Sequence, residues 1–168
     1  MLRFKYKNQT LLFCVGVLWG IAVTLVAGIL FLRSNLIVEK EIPGTFGAVT
    51  ANVPAAVKSV DGWTVTREQC QLPKTANGNP VLVFKLCNAD YAKEMLDSGK
   101  SRKIAAAIPC SLAFYTKENG KLYAAKWNMP LVGRLLGGIP GFLFPGRIAE
   151  DQRIIMERIS ANRVEKSK

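Results

Sequence analysis

The chain has 168 residues, 49% of them hydrophobic, and a formal net charge of +11. This length suits one domain of modest size together with one membrane segment. Because the sequence contains no histidine, it has no Ser-His-Asp or Cys-His catalytic unit, no His-ligated zinc and no Cys-x-x-Cys-His haem attachment. It also lacks a Cys-x-x-Cys pair, a Gly-x-Gly-x-x-Gly pattern and a P-loop pattern. We therefore expect no catalytic residues, no metal and no cofactor, and the composition favours a protein that is not an enzyme.

The first predicted element is an uncharged apolar helix over residues 10–32. It spans roughly 34 Å at 1.5 Å per residue, which is enough to cross the hydrocarbon core of a bilayer. Arg3, Lys5 and Lys7 precede it, whereas the charges that follow it are mixed, so the positive-inside rule predicts a cytoplasmic N-terminus. A cleaved signal peptide is the alternative, but its apolar core would be about 7–15 residues long and would end at small residues. We predict a single-pass protein of the bacterial inner (cytoplasmic) membrane with a periplasmic C-terminal domain.

A stripe of small residues at four-residue spacing runs along this helix, formed by Gly16, Gly20, Thr24 and Gly28. Such a stripe lets a second helix approach closely. The alternative is that glycine is simply common in membrane helices. We expect contact with the lipid bilayer and with a membrane-protein partner or a second copy of the chain.

The remainder of the chain is predicted to form one α+β domain. We predict strands over residues 36–41, 63–67, 81–86, 108–115 and 121–127, and helices over residues 52–60, after the cap residue Asn88, and over residues 146–161. This order favours one small antiparallel or mixed sheet with helices packed on it. The predicted division is a cytoplasmic N-terminus (1–9), a transmembrane helix (10–32), a linker with the first strand (33–45), an extracytoplasmic α+β domain (46–162) and a basic tail (163–168).

Three ordered segments, LCNADYA, IPCSLAFYTKENGKLYAAKWN and VGRLLGGIPGFLFPGRIAEDQRII, resemble an uncharacterised bacterial and archaeal family called domain of unknown function 302. Two motifs of that family fall on Cys87, Asn88, Ala92, Pro109, Cys110 and Tyr115. The sequence departs from the family pattern at Ala89, where proline is usual, and at Thr116, where an acid is usual. The resemblance implies a TATA-binding-protein-like α+β fold, often dimeric and without DNA binding. It implies no established biochemical role.

The predicted domain contains three cysteines, Cys70, Cys87 and Cys110. If the strands that carry Cys87 and Cys110 are antiparallel neighbours, both cysteines lie at the same end of the sheet and within reach of a disulfide. Buried free thiols and a ligand or redox site are the other two interpretations, because spacing alone does not determine connectivity. Asn88 would place helix amides near Cys87 and Pro109 precedes Cys110, so these four residues form the candidate thiol site.

A glycine-rich apolar segment, residues 128–147, is too short and too interrupted by glycine and proline to span a bilayer. It could pack on the sheet as core, lie at the membrane interface, or form a docking face for a partner. Its candidate interface residues are Leu131, Arg134, Leu135, Leu136, Phe142, Phe144 and Arg147.

The basic charge is expected to meet anionic headgroups or an acidic protein, since no aromatic-basic stacking motif indicates nucleic acid. We predict a membrane-anchored periplasmic binding or accessory protein that is a subunit or partner of a larger membrane complex. One alternative is a thiol-dependent redox or sulfur-handling protein that uses Cys87 and Cys110. The other is a small-molecule or metal-binding module with cysteine and methionine ligands.

Overall fold

The structure, a computed structural model, describes residues 2–68 and 78–161, apart from the side chains of residues 2–8 and 66–68. The chain divides into two compact units, Met1–Leu36 and Ile37–Lys168. Cys70 and the predicted basic tail, residues 163–168, lie outside the described residues.

The first unit consists of one long helix, α1 (Leu2–Asn35). Its Gln9–Asn35 portion is long and apolar enough to cross a membrane. A Cβ atom added at Gly16, Gly20 or Gly28 would meet no heavy atom within 4 Å. The hydroxyl of Thr24 donates a 2.8 Å hydrogen bond to the carbonyl of Gly20, so this polar side chain is satisfied within its own helix.

The second unit is built on one antiparallel sheet of five strands in the order β1-β5-β4-β3-β2. The strands are β1 (Ile37–Glu41), β2 (Trp63–Glu68), β3 (Val81–Asn88), β4 (Cys110–Thr116) and β5 (Leu122–Trp127). Burial alternates along β3 and β4, as expected for a sheet with one covered face. The predicted α+β class is therefore confirmed, and the sheet is antiparallel rather than mixed.

The helices of the second unit are α2 (Phe46–Lys58), α3 (Ala89–Asp97), α4 (Met129–Leu136), α5 (Gly138–Leu143) and α6 (Ala149–Ala161). A 3₁₀ helix, Arg102–Ala107, follows α3, and a π-type turn, Phe144–Ile148, joins α5 to α6. Helix α2 packs against β2, β4 and α6. The fully buried side chains lie in this layer between the helices and the covered face of the sheet, among them Val53, Val57, Phe84, Phe114, Ile155 and Ile159.

The predicted start of the first domain helix at Asn52 is wrong, because α2 begins at Phe46. The side chain of Thr45 accepts a hydrogen bond from the Ala48 amide and so forms the N-cap of the helix. Pro54 consequently lies inside the helix. The loss of one helical hydrogen bond at Pro54 is offset by a buried stripe of Val49, Val53, Ala56 and Val57, which needs all three turns of the helix.

The starts of two further elements differ from the prediction by at least two residues. Strand β4 begins at Cys110 rather than residue 108, directly after Pro109, which has no amide hydrogen to donate to the sheet. Helix α6 begins at Ala149 rather than Gly146, since Gly146 has the non-helical angles φ −89° and ψ −106°. Ile155 and Ile159 of α6 are buried in the core, together with Ile148 at the end of the π-type turn.

The predicted cap at Asn88 is confirmed. Its side chain also explains the glycine at position 62, directly before β2. The Asn88 side-chain oxygen accepts hydrogen bonds from the amides of Asp90 and Tyr91, at 3.1 and 3.3 Å, and its amide group donates to the carbonyl of Asp61. Gly62 lies directly against it with φ +72°, and a Cβ there would come within 2.8 Å of the Asn88 amide nitrogen. Glycine is thus required at position 62 by both backbone conformation and space.

Candidate functional site

An open pocket of about 680 Å³ lies between the 3₁₀ helix, the end of β5, and helices α4 and α5. Its surface is mostly apolar, with contributions from Cys110, Trp127, Met129, Val132, Leu136 and Phe144. Lys100 and Lys103 line the pocket on the side of the 3₁₀ helix. A volume in the range of about 300–1,000 Å³ with predominantly apolar walls and few charged groups is typical of a small-molecule site.

The wall formed by α4 and α5 depends on local capping chemistry. The Asn128 side chain accepts a 3.2 Å hydrogen bond from the Leu131 amide and thereby starts α4 directly after β5. Gly137 and Gly138 both have positive φ, +64° and +58°, so the chain ends α4 and begins α5 within two residues. This reversal sets the two short helices side by side and leaves the pocket open beside them.

Close backbone packing holds this wall in place. A Cβ atom at Gly133 in α4 would come within 2.6 Å of Pro145 Cδ and 2.9 Å of Phe144 Cβ. Real Cβ atoms do not come this close to their neighbours, so α4 can lie against the π-type turn only because residue 133 is glycine.

The glycine-rich segment is partly core and partly exposed. Met129, Leu143 and Phe144 are buried in the core, which corrects the placement of Phe144 at an interface. Leu135, Leu136 and Phe142 are exposed instead, Phe142 by 73%. Helix geometry accounts for this division. Only one side of each short helix can face the core, so the apolar side chains on the other side point outward.

The remaining candidate interface residues also differ from one another in environment. Leu131 is half-buried and Arg134 is exposed. Arg147 forms a 2.6 Å ion pair with Glu94, and its guanidinium lies 5.1 Å from the centre of the Tyr91 ring. These contacts engage Arg147 within the domain, so it is a weaker candidate than Arg134 for contact with lipid phosphates.

The two cysteines of the candidate thiol site lie at the same end of the sheet, in antiparallel neighbouring strands, which is the arrangement that a disulfide would require. Register nevertheless pairs Cys110 with Leu86, and Cys87 is the next residue along β3. Because successive residues of a strand face opposite sides, Cys110 faces the covered side, where it is buried, and Cys87 faces the open side. Both are free thiols, and this arrangement argues against a bridge between them.

Burial raises the pKa of the Cys110 thiol to about 11, so at neutral pH it is a neutral, apolar part of the pocket wall. In a chain with serine at positions 14, 70 and 87, we expect alkylation of Cys110 by iodoacetamide at pH 8 to be about 100-fold slower than that of an ordinary thiol. The rate should rise with pH until the pH reaches about 11, and unfolding in urea should remove the difference. Fast alkylation of the folded chain at pH 7–8 would contradict this expectation and would favour the redox alternative.

Several pocket residues were not assigned to a site from the sequence. Trp127 is the last residue of a predicted strand, and Lys100 and Lys103 lie outside every predicted strand. Val132 and Met129 were recognised as members of an apolar run. A pair of lysines and an apolar segment are both visible in the sequence, and together they could have indicated the pocket. They are about 30 residues apart, however, and no spacing rule shows that they meet in the fold.

Among the residues that the structure describes, no cluster of three or more histidine, cysteine, aspartate or glutamate side chains could hold a metal ion. The described lining of the pocket consists mainly of apolar surface, with two lysines and one buried thiol.

The architecture defines the chain as an α+β protein with a five-stranded antiparallel sheet covered by helices and an apolar pocket at one end. The same fold occurs in the crystal structure of an uncharacterized conserved protein, DUF302, from Bacillus stearothermophilus. The two chains are 13% identical and superpose with a TM-score of 0.60, over 74% of this chain and 98% of the other. At this identity the likeness establishes a shared fold, which confirms the fold expected from the resemblance. No family model and no curated protein matches the sequence.

Proposed function

We propose that this chain is a membrane-anchored relative of the DUF302 proteins that binds an apolar small molecule and serves a larger membrane complex as an accessory subunit. The observation that carries the proposal is the open apolar pocket of about 680 Å³ beside the exposed helices α4 and α5. A void of this size left open to solvent exposes apolar wall that a ligand would cover favourably. The absence of histidine supports binding rather than turnover.

Anchoring is supported by the length and apolarity of α1, and orientation by the basic residues before it. We place the domain in the periplasm of the inner membrane on this basis. Alkaline phosphatase fused to the C-terminus should therefore be active, and a fluorescent protein that matures only in the cytosol should stay dark at the same position. The reverse pattern would contradict the orientation.

The contact with a partner is assigned to the exposed apolar side chains Leu135 and Phe142. Exposed apolar surface of this kind usually marks a contact with protein or membrane. The partner that we propose for this surface is a protein of the larger membrane complex.

Ligand binding can be tested by filling the pocket from an exposed position. Ala105 and Ala106 are neighbouring, exposed residues of the 3₁₀ helix, but only Ala106 lines the pocket. The full chain in nanodiscs of zwitterionic lipid would be titrated with the neutral fluorescent probe N-phenyl-1-naphthylamine, with empty nanodiscs as the background. We expect saturable binding by the wild type, and at least a tenfold loss of affinity in Ala106→Trp, because the indole occupies the ligand volume.

The matched control is Ala105→Trp, which adds the same side chain to the same helix outside the pocket and should bind as the wild type does. Equal binding by all three proteins would contradict the proposed function. A loss in both variants would indicate that the 3₁₀ helix rather than the pocket was disturbed, and circular dichroism of the two variants would show this directly.

A further inference from the structure

The charges around the pocket are all of one sign. Among the described residues that line it, Lys100 and Lys103 are the only charged ones, and none is acidic. Both lysines are exposed and flank the start of the 3₁₀ helix, with Ser101 between them on the pocket wall. The opposite wall and the floor are apolar, with Trp127, Met129 and Phe144. The pocket is thus divided into a cationic side and an apolar remainder.

Several of the described cations are already engaged by an internal glutamate. Lys117, Lys121, Arg147 and Arg153 each form an ion pair with a glutamate. Lys100 and Lys103 form no ion pair within 4 Å among the described residues. An anionic ligand group placed between them would therefore not need to displace an internal carboxylate.

We infer that the pocket binds a single-chain amphiphile with an anionic head, its head between Lys100 and Lys103 and its chain against Trp127, Met129 and Phe144. This inference rests on the proposed function and specifies its ligand class. A head with a positive charge would be repelled by both lysines, and a neutral chain would leave their charges without a counterpart. The floor accepts an apolar chain because its thiol, Cys110, is buried and neutral.

The ligand class can be tested with four probes of stated chemistry: dodecanoate, dodecanol, dodecylamine and hexanoate. Binding would be measured calorimetrically to the full chain in zwitterionic nanodiscs, with Ala106→Trp nanodiscs as the background for partition into lipid. In the wild type we expect dodecanoate to bind at least tenfold more tightly than dodecanol, and dodecylamine to bind more weakly than either. Each methylene removed from the acid should weaken binding about fourfold, so hexanoate should show no measurable binding.

The decisive variant is Lys100→Gln/Lys103→Gln. Its matched control is Lys58→Gln/Lys93→Gln, which removes the same charge at exposed positions outside the pocket. The first variant should lose the preference for dodecanoate over dodecanol and keep its affinity for dodecanol, whereas the control should keep both. In the wild type, the preference should also shrink as salt is raised, because both lysines are exposed.

Two failures can be told apart. If Ala106→Trp abolishes binding but the double lysine variant still prefers dodecanoate, the inference about the head is overturned and the proposed function stands. If binding of every probe is the same in the wild type and in Ala106→Trp, the proposed function fails first. Displacement of dodecanoate by phosphatidylglycerol added to the nanodisc would overturn the assignment to a single-chain ligand, because a bilayer lipid would then be the occupant.

Discussion

Replacing Asp151 with alanine is expected to lower the free energy of unfolding of the domain by about 3 kcal/mol. One carboxylate oxygen of Asp151, in the first turn of α6, accepts hydrogen bonds from Trp63 Nε1 at 2.8 Å and from the Tyr91 hydroxyl at 2.9 Å. The rings of Trp63 and Tyr91 meet edge to face, with centres 6.2 Å apart, and Trp63 is buried. Without Asp151 two donors lose a charged acceptor, each at a cost of about 1.5–3 kcal/mol.

Two controls separate the hydrogen bonds from the charge. Asp151→Asn keeps an oxygen that can accept from both donors, so we expect a loss of only about 1 kcal/mol. Glu150→Ala removes an exposed acid from the same helical turn, where only the helix dipole and a surface ion pair are affected, and should change stability by about 0.5 kcal/mol or less. Urea unfolding of the full chain in detergent micelles, followed by near-ultraviolet circular dichroism, would measure all three. Equal effects of Asp151→Ala and Glu150→Ala would show that the contacts with Trp63 and Tyr91 contribute little.

Replacing Gly133 with alanine is the second substitution for which we expect a large effect, a loss of about 2–3 kcal/mol. The added methyl group would overlap Pro145 and Phe144, and the Pro140 carbonyl would be only 3.0 Å away, so α4 would have to move away from the π-type turn. Because α4 is a wall of the pocket, the same substitution should weaken binding of N-phenyl-1-naphthylamine in folded protein.

The control for this substitution is Gly47→Ala in α2. A Cβ at Gly47 would meet no heavy atom within 4 Å, and alanine is the better helix former, so the chain should gain up to about 1 kcal/mol. Both variants would be compared by urea unfolding and by the binding titration. A Gly133→Ala protein as stable as the wild type would show that the turn yields easily and that the close contact is not a constraint.

Local capping signals were predictable from the sequence where one residue could act alone. The cap at Asn88 was predicted correctly, because a cap satisfies amides only two or three residues away and needs no distant partner. The start of α2 was not, since Thr45 and Asn52 are both chemically suitable caps. Burial of Val49 and Val53 on the sheet decided between them, and that contact depends on the position of strands far along the chain.

The register of β3 with β4 distinguishes between the interpretations of the two cysteines. Sequence spacing is compatible with a disulfide, with free thiols and with a ligand or redox site for Cys87 and Cys110. The pairing of Cys110 with Leu86 places the two side chains on opposite faces of the sheet. A shift of one residue would have brought them to the same face, but it would also have turned the buried side chains of one strand, such as Phe84 and Leu86, away from the core.

The long apolar helix, the order of the five strands and the presence of three of the domain helices could be predicted from the sequence, because length and hydrophobic periodicity are local features. Composition alone ruled out histidine-based chemistry. Tertiary packing was needed to show that the glycine-rich segment has a buried and an exposed side, and that a pocket with two lysines lies beside it. A pocket is the volume that packed elements leave unfilled. Its walls here come from the 3₁₀ helix, β5, α4 and α5, whose spacing is set by contacts such as that of Gly133 with Pro145.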